Sequence, residues 1–300
     1  MYWKVYSFTF ITTAMLFGLA NKPALAFSFT TIDEPSSTLL GCPPPSLAEL
    51  GSADTTSSEG NYLTSVPAYD WYHGCGPTAA ASVIGYWDLN GYVNLFDASG
   101  DEVFLTSNVA DQISSPEHNA KYNPTPDNPL LPIPASTSIA DWFGTSKDPL
   151  NYGWSYLSQA DNAFTGYTNY RGYQFNSWNE SFSTGEFTWE DLVLEIDSQR
   201  PLMFLVDSRG DGYTDHFVPV LGYDDRGVEG KYYGFYTTWS ENETIVWREF
   251  QGMSQGQPWG VGYGTFVQPV SRATPEPSPI LSLLALAGLG VGLTRGRQQS

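Results

Sequence analysis

Positive charge is what this 300-residue sequence has least of: 13 Lys and Arg stand against 32 Asp and Glu, a formal net charge of −19. A protein that works by neutralising phosphates needs the opposite sign, so nucleic acid is excluded as a main partner. Cysteine is nearly absent, and two residues cannot form a disulfide scaffold. The three histidines and two cysteines show no Cys–Cys or His–His spacing of a zinc site, so neither a metal nor another cofactor is expected. No apolar run reaches the roughly 20 residues that a helix needs to cross a bilayer. Aromatic residues, in contrast, make up 15% of the chain and hydrophobic residues 41%, enough to bury a core rather than leave an acidic coil.

The two ends read as addresses rather than fold. Residues 1–26 carry Lys4, an apolar stretch from Phe8 to Ala20 and a small-x-small end at Ala24, Leu25 and Ala26, the layout of a secretory signal peptide cleaved after Ala26. At the other end Pro275-Glu276-Pro277 precedes an apolar run from Ile280 to Thr294 and then Arg295, Gly296 and Arg297. Fifteen residues at 1.5 Å span about 22 Å, short of a bilayer crossing of about 30 Å, so this is at most a transient anchor. The order of parts over 275–297 resembles the PEP-CTERM sorting signal of bacterial exported proteins, which implies a processing enzyme in the membrane as one partner. It also implies export to the cell envelope, cell surface or extracellular matrix. Leu39-Leu40-Gly41-Cys42 imitates a lipoprotein box but lies too far from the apolar stretch, and residues 27–65, rich in Ser, Thr and Pro, read as an irregular arm.

The middle, 66–270, is expected to be one α+β domain. Pro77 suits a first helical position, and Ala79, Val83 and Trp87 recur at four-residue spacing, which predicts a buried helix ending near Asn90-Gly91. Residues 97–180 read as an irregular insertion with one short helix, Ile139 to Phe143. Thr188 with Asp191 three residues later predicts a capped helix that Arg200-Pro201 stops. Strands are expected at Leu202 to Val206, His216 to Tyr223 and Tyr232 to Trp239. A helix-led first half and a sheet-led second half point to α+β rather than alternating βαβ units.

Cys75 stands between Gly74 and Gly76, immediately before the first helix. Unpaired N–H groups and the helix dipole stabilise a thiolate there, and the N–H groups of Cys75 and Gly76 could receive an oxyanion. Taken alone the residue is equally well a buried thiol or half of a disulfide with Cys42. His216 opens an apolar strand, from which an imidazole can project into a cleft, whereas His73 and His118 fall in loop-like sequence. If the last two strands form a hairpin, His216 lies near Thr237 to Trp239, and Asp224 and Asp225 lie about 26 Å away at the far end. Asp207-Ser208-Arg209-Gly210-Asp211-Gly212 starts like a calcium loop, but Val218 occupies the twelfth position, where glutamate is needed. Asp211, Asp215 and the glycines read instead as shaping the loop before His216.

These segments together resemble the papain-like cysteine peptidases, and within them family thirty-nine, the double-glycine-leader peptidases and their stand-alone relatives. The resemblance rests on the glycine-flanked cysteine with Pro-Thr-Ala and Gly-Tyr-Trp, the Arg-Pro stop, His-Phe-Val-x-Val-x-Gly-Tyr-Asp and the strand ending Thr-Trp, over about residues 66–250. It implies a two-lobe fold in which a helix carries Cys75 as nucleophile and an antiparallel sheet carries His216 as base, with a peptide or protein as substrate. Where the family keeps an acidic or amide residue to orient the histidine stands Thr237, with Glu241 and Asn242 the nearest alternatives. Where papain-like enzymes keep an oxyanion glutamine stands Tyr69. The expected function is an exported cysteine peptidase-like hydrolase acting on a peptide or isopeptide bond. The alternative is a catalytically degenerate relative that serves as a surface or matrix binding protein.

Overall fold

A computed structural model describes residues 30–31, 60–121, 136–146 and 153–270, with the side chains of 30–31 and 120–121 excepted. The proposed signal peptide, most of the arm with Cys42, and the sorting signal lie outside these residues. In chain order the elements are β1 (Thr30–Thr31), β2 (Asn61–Tyr62), α1 (Cys75–Leu89), α2 (Thr106–Ile113), α3 (Pro116–Lys121), α4 (Ile139–Phe143), β3 (Ser155–Tyr156) and α5 (Leu157–Tyr170). They continue with β4 (Phe175–Ser181), α6 (Trp189–Asp197), β5 (Leu202–Asp207), β6 (His216–Asp225), β7 (Lys231–Phe235), β8 (Val246–Glu249) and β9 (Gly260–Pro269). Among the described residues no helix is long and apolar enough to cross a membrane.

Strands β4-β9-β5-β6-β7-β8 form one antiparallel sheet, and β2 adds to it by pairing with β6. The end of the expected arm is therefore part of the sheet. Helix α1 is buried from Cys75 to Asp88, as a helix apolar on every side must be, and it packs on β5 and β6. It starts two residues earlier than Pro77 suggested. Pro77 is its third residue, still within the first turn, where no intrahelical N–H is needed. Gly76 is required by this packing, because a Cβ there would stand 2.8 Å from Ser155 Oγ and 3.4 Å from the Phe217 ring.

Capping boxes at Thr188–Asp191 and Ser138–Asp141 begin α6 and α4. The 97–180 segment is not the irregular insertion its composition suggested. It holds α2 to α5 and β4, and β4 is a full sheet strand against β9. A buried polar cluster ties these helices together: His118 Nδ1 lies 2.9 Å from Asp141 Oδ1, and its Nε2 lies 2.7 Å from the Thr145 carbonyl. Asp141 is held below the usual carboxylate range, because the bonds from His118 and Ser138 outweigh the larger single effect of its burial. Thr145 in turn shares a 2.9 Å hydroxyl contact with Ser155, which backs the start of α1.

Candidate active site

The first turn of α1 and the first residues of β6 meet at the site. The Phe217 N–H donates to Cys75 Sγ at 3.1 Å, so the sulfur sits against the strand beside the residue that follows His216. Neighbouring strand residues point to opposite faces, and the Phe217 ring goes to Gly76 and Phe143 while His216 takes the other side. The loop before α1 is held by Thr78, whose Oγ1 donates to the Gly74 carbonyl at 2.6 Å and accepts from the Tyr72 N–H at 3.0 Å. By position the N–H groups of Cys75 and Gly76 belong to the helix's first turn, where intrahelical acceptors are lacking.

His216 Nε2 lies 2.9 Å from the Thr237 carbonyl oxygen and 3.3 Å from Thr238 Oγ1. A carbonyl only accepts, so the neutral ring carries its proton on Nε2 and keeps an acceptor lone pair on Nδ1. The β6–β7 register, with Val220 opposite Phe235 and Tyr223 opposite Tyr233, brings the 237–239 segment to the ring. There the chain turns sharply. Thr238 has φ of 64°, a left-handed conformation that costs a β-branched residue about 1–3 kcal/mol. The turn aims the Thr237 carbonyl at His216 and lays the Trp239 ring on it, with centroids 4.3 Å apart and planes at 17°. Trp259 approaches edge-on at 6.1 Å. Cys75 is 0% and His216 1% exposed. Burial pulls His216 down to about 4, offset in part by the Thr237 carbonyl, and Arg209 adds to the lowering.

Two expected roles change. Thr237 is beside His216, but its main-chain carbonyl makes the contact, while its hydroxyl accepts from the Trp239 N–H. Tyr69 is not at the oxyanion position: its hydroxyl donates to the Val103 carbonyl at 2.7 Å and abuts Gly85, about 15 Å along α1 from Cys75 at 1.5 Å per residue. Burial raises its pKa well above the ordinary phenol value, so it stays a neutral donor to Val103.

The remaining candidates are engaged elsewhere. Glu241 Oε1 accepts from the Thr106 N–H at 2.7 Å, and its own N–H donates to Asp70. Asp224, at the far end of β6, accepts from Arg226 Nε at 2.7 Å. The glycine-rich loop before His216 is organised by its own carboxylates. Asp207 accepts from the N–H groups of Arg209, Gly210, Asp211 and Gly212, and Asp215 accepts from the Ser208 N–H and hydroxyl. Burial raises Asp215 to about 7. Among the described residues no cluster of three or more His, Cys, Asp or Glu could hold a metal.

The strand register expected from the sequence brought the 237–239 segment to His216, Thr238 included, but gave no sign of Trp259. Trp259 is 43 residues beyond His216 on the chain and has no motif of its own.

In comparisons with known proteins, no curated protein matches the chain in sequence. A solved structure described as a recombinant stem bromelain precursor is similar at 11% identity and a TM-score of 0.34, over 82% of this chain and 78% of that one. The family model described as "Peptidase_C39 like family" matches residues 63–257, a span that contains α1, β6 and both residues they bring together, and the chain belongs to that family.

Proposed function

We propose that this protein is an exported cysteine peptidase that cleaves a peptide or isopeptide bond through an acyl-thioester on Cys75. The observation that supports the reading is the 3.1 Å bond from the Phe217 amide to Cys75 Sγ, because it holds the sulfur at the main chain of the residue that follows His216. Membership of a cysteine peptidase-like family supports the same reaction class. In the mechanism, Nδ1 of neutral His216 takes the thiol proton as sulfur attacks the scissile carbonyl carbon. The N–H groups of Cys75 and Gly76 receive the oxyanion. The intermediate collapses with cleavage of the C–N bond, and His216 gives the proton to the leaving amine. Water, deprotonated by His216, then hydrolyses the thioester and restores the thiol. The Thr237 carbonyl holds Nε2–H throughout, and it steadies the imidazolium with a dipole rather than a full charge.

Export follows in this reading from the signal peptide, and the segment at 275–297 directs a membrane processing enzyme to the C-terminus. The domain, 66–270 with the strand just before it, then acts at the envelope, on the cell surface or in the extracellular matrix. A second reading, a binding protein that has lost catalysis, is favoured by the burial of Cys75 and His216 and by the carbonyl that stands in for a carboxylate. Digestion of a proteome-derived peptide library separates the two. The mature protein should generate new peptide termini that Cys75→Ser does not. Identical termini with both proteins, or none with either, would transfer the protein to the binding class.

A further inference from the structure

We propose that a groove between α4 and α5, sharing no residue with the Cys75–His216 site, binds a neutral polysaccharide. The groove has a cavity of about 720 Å³, within the ~300–1,000 Å³ of small-molecule clefts. Its floor exists because of Gly166: a Cβ there would stand 2.2 Å from the Trp142 ring, so only glycine lets the indole lie directly on the helix. Gln159, Asn162, Gly166 and Asn169 follow at three- and four-residue spacing and line one face of α5. At 1.5 Å per residue they extend about 15 Å, enough for more than one pyranose ring. Tyr170, 50% exposed, stands at one end.

The chemistry selects the ligand class. No residue lining the groove is charged, in a chain with 32 acidic residues, so neither an anionic nor a cationic ligand gains an ion pair. Each carboxamide offers one acceptor and two donors, which matches hydroxyls that donate and accept at once. Among the described residues Gln159 and Asn169 spend these groups on no partner, and Asn162 makes only a 3.5 Å contact to the Ser158 carbonyl. Trp142 Nε1 is shielded from solvent and has no acceptor there either. Aromatic rings beside uncommitted amides suit a sugar, whose C–H face is apolar and whose rim is polar. An extended peptide would look for unpaired backbone, which a helix does not present. The inference stands whether or not Cys75 is catalytic.

Titration calorimetry of the mature protein with cellohexaose, xylohexaose and mannohexaose, and with hexagalacturonate as the acidic comparator, tests it. At least one neutral hexasaccharide should bind, and more tightly than hexagalacturonate. Asn162→Ala/Asn169→Ala, both exposed positions, should weaken binding about tenfold or more, as should Gly166→Ala, while Cys75 alkylation is unchanged in the double variant. Absence of heat with all three neutral sugars at millimolar concentration, tighter binding of the acidic one, or wild-type affinity in the double variant would overturn the proposal.

Discussion

A main-chain carbonyl holds His216, and a carbonyl leaves no mark in a sequence because every residue has one. That is why position 237 could be located by strand register while the atom involved could not. The same blindness applies to Tyr69, whose place six residues before Cys75 implied a role that its side chain, directed nearly three turns along α1 to Gly85 and Val103, does not serve. Cys75 and His216 were legible for the opposite reason, since a thiol between glycines and an imidazole at a strand start are side-chain features. Two substitutions check this division. Thr237→Ala keeps the carbonyl and should leave the Cys75 alkylation rate within about threefold. Tyr69→Phe removes a buried hydrogen bond and should cost about 1–2 kcal/mol in denaturant unfolding, with the alkylation rate unchanged. A large fall in reactivity in Tyr69→Phe would return Tyr69 to the site.

Elements were legible where periodicity or a cap was strong. Helix α6 shows its Thr188–Asp191 box and an apolar face, and β5 and β6 are apolar runs within one or two residues of their expected limits. Helix α5 was hidden because its buried face is built from Ala160, Ala163, Phe164, Tyr167 and Thr168 among Asn, Thr and Gly, weak helix formers that read as loop. Strands β4 and β9 were hidden because their pairing partners are distant on the chain.

The β5–β6 connection carries a prediction of its own. Asp215, raised to about 7 by burial, binds its proton more tightly folded than unfolded, so its contribution to stability is full below about pH 4 and is lost as pH rises to about 7. His216, lowered to about 4, works in the other direction, its contribution present above about pH 6.5 and lost as pH falls toward 4. The two largely cancel between pH 4 and 6.5. In Asp215→Asn only the histidine effect remains, so the stability of this variant should rise with pH across that window where the wild type is flatter. At pH 8 it should exceed the wild type by a few kcal/mol at most. Parallel urea unfolding of both proteins would read it, and parallel curves for the two would show that Asp215 is ionised throughout.

On the scale of the molecule, Cys75 lies in the first turn of α1 and His216 at the start of β6, and α1 packs on β5 and β6. The acidic composition did not locate the site, because the residues that build it are apolar, aromatic or neutral. The central claim is that Cys75 is a nucleophile whose proton His216 accepts, and the rate of iodoacetamide alkylation at pH 6 tests it most directly. At that pH an ordinary thiol, with a pKa of about 8.5, is less than about 1% ionised. Peptide mapping assigns the label to Cys75 or Cys42. Cys75 should react at least about tenfold faster than glutathione, and His216→Ala should remove that advantage. Labelling of wild-type Cys75 no faster than glutathione, or equally fast in His216→Ala, would contradict the account.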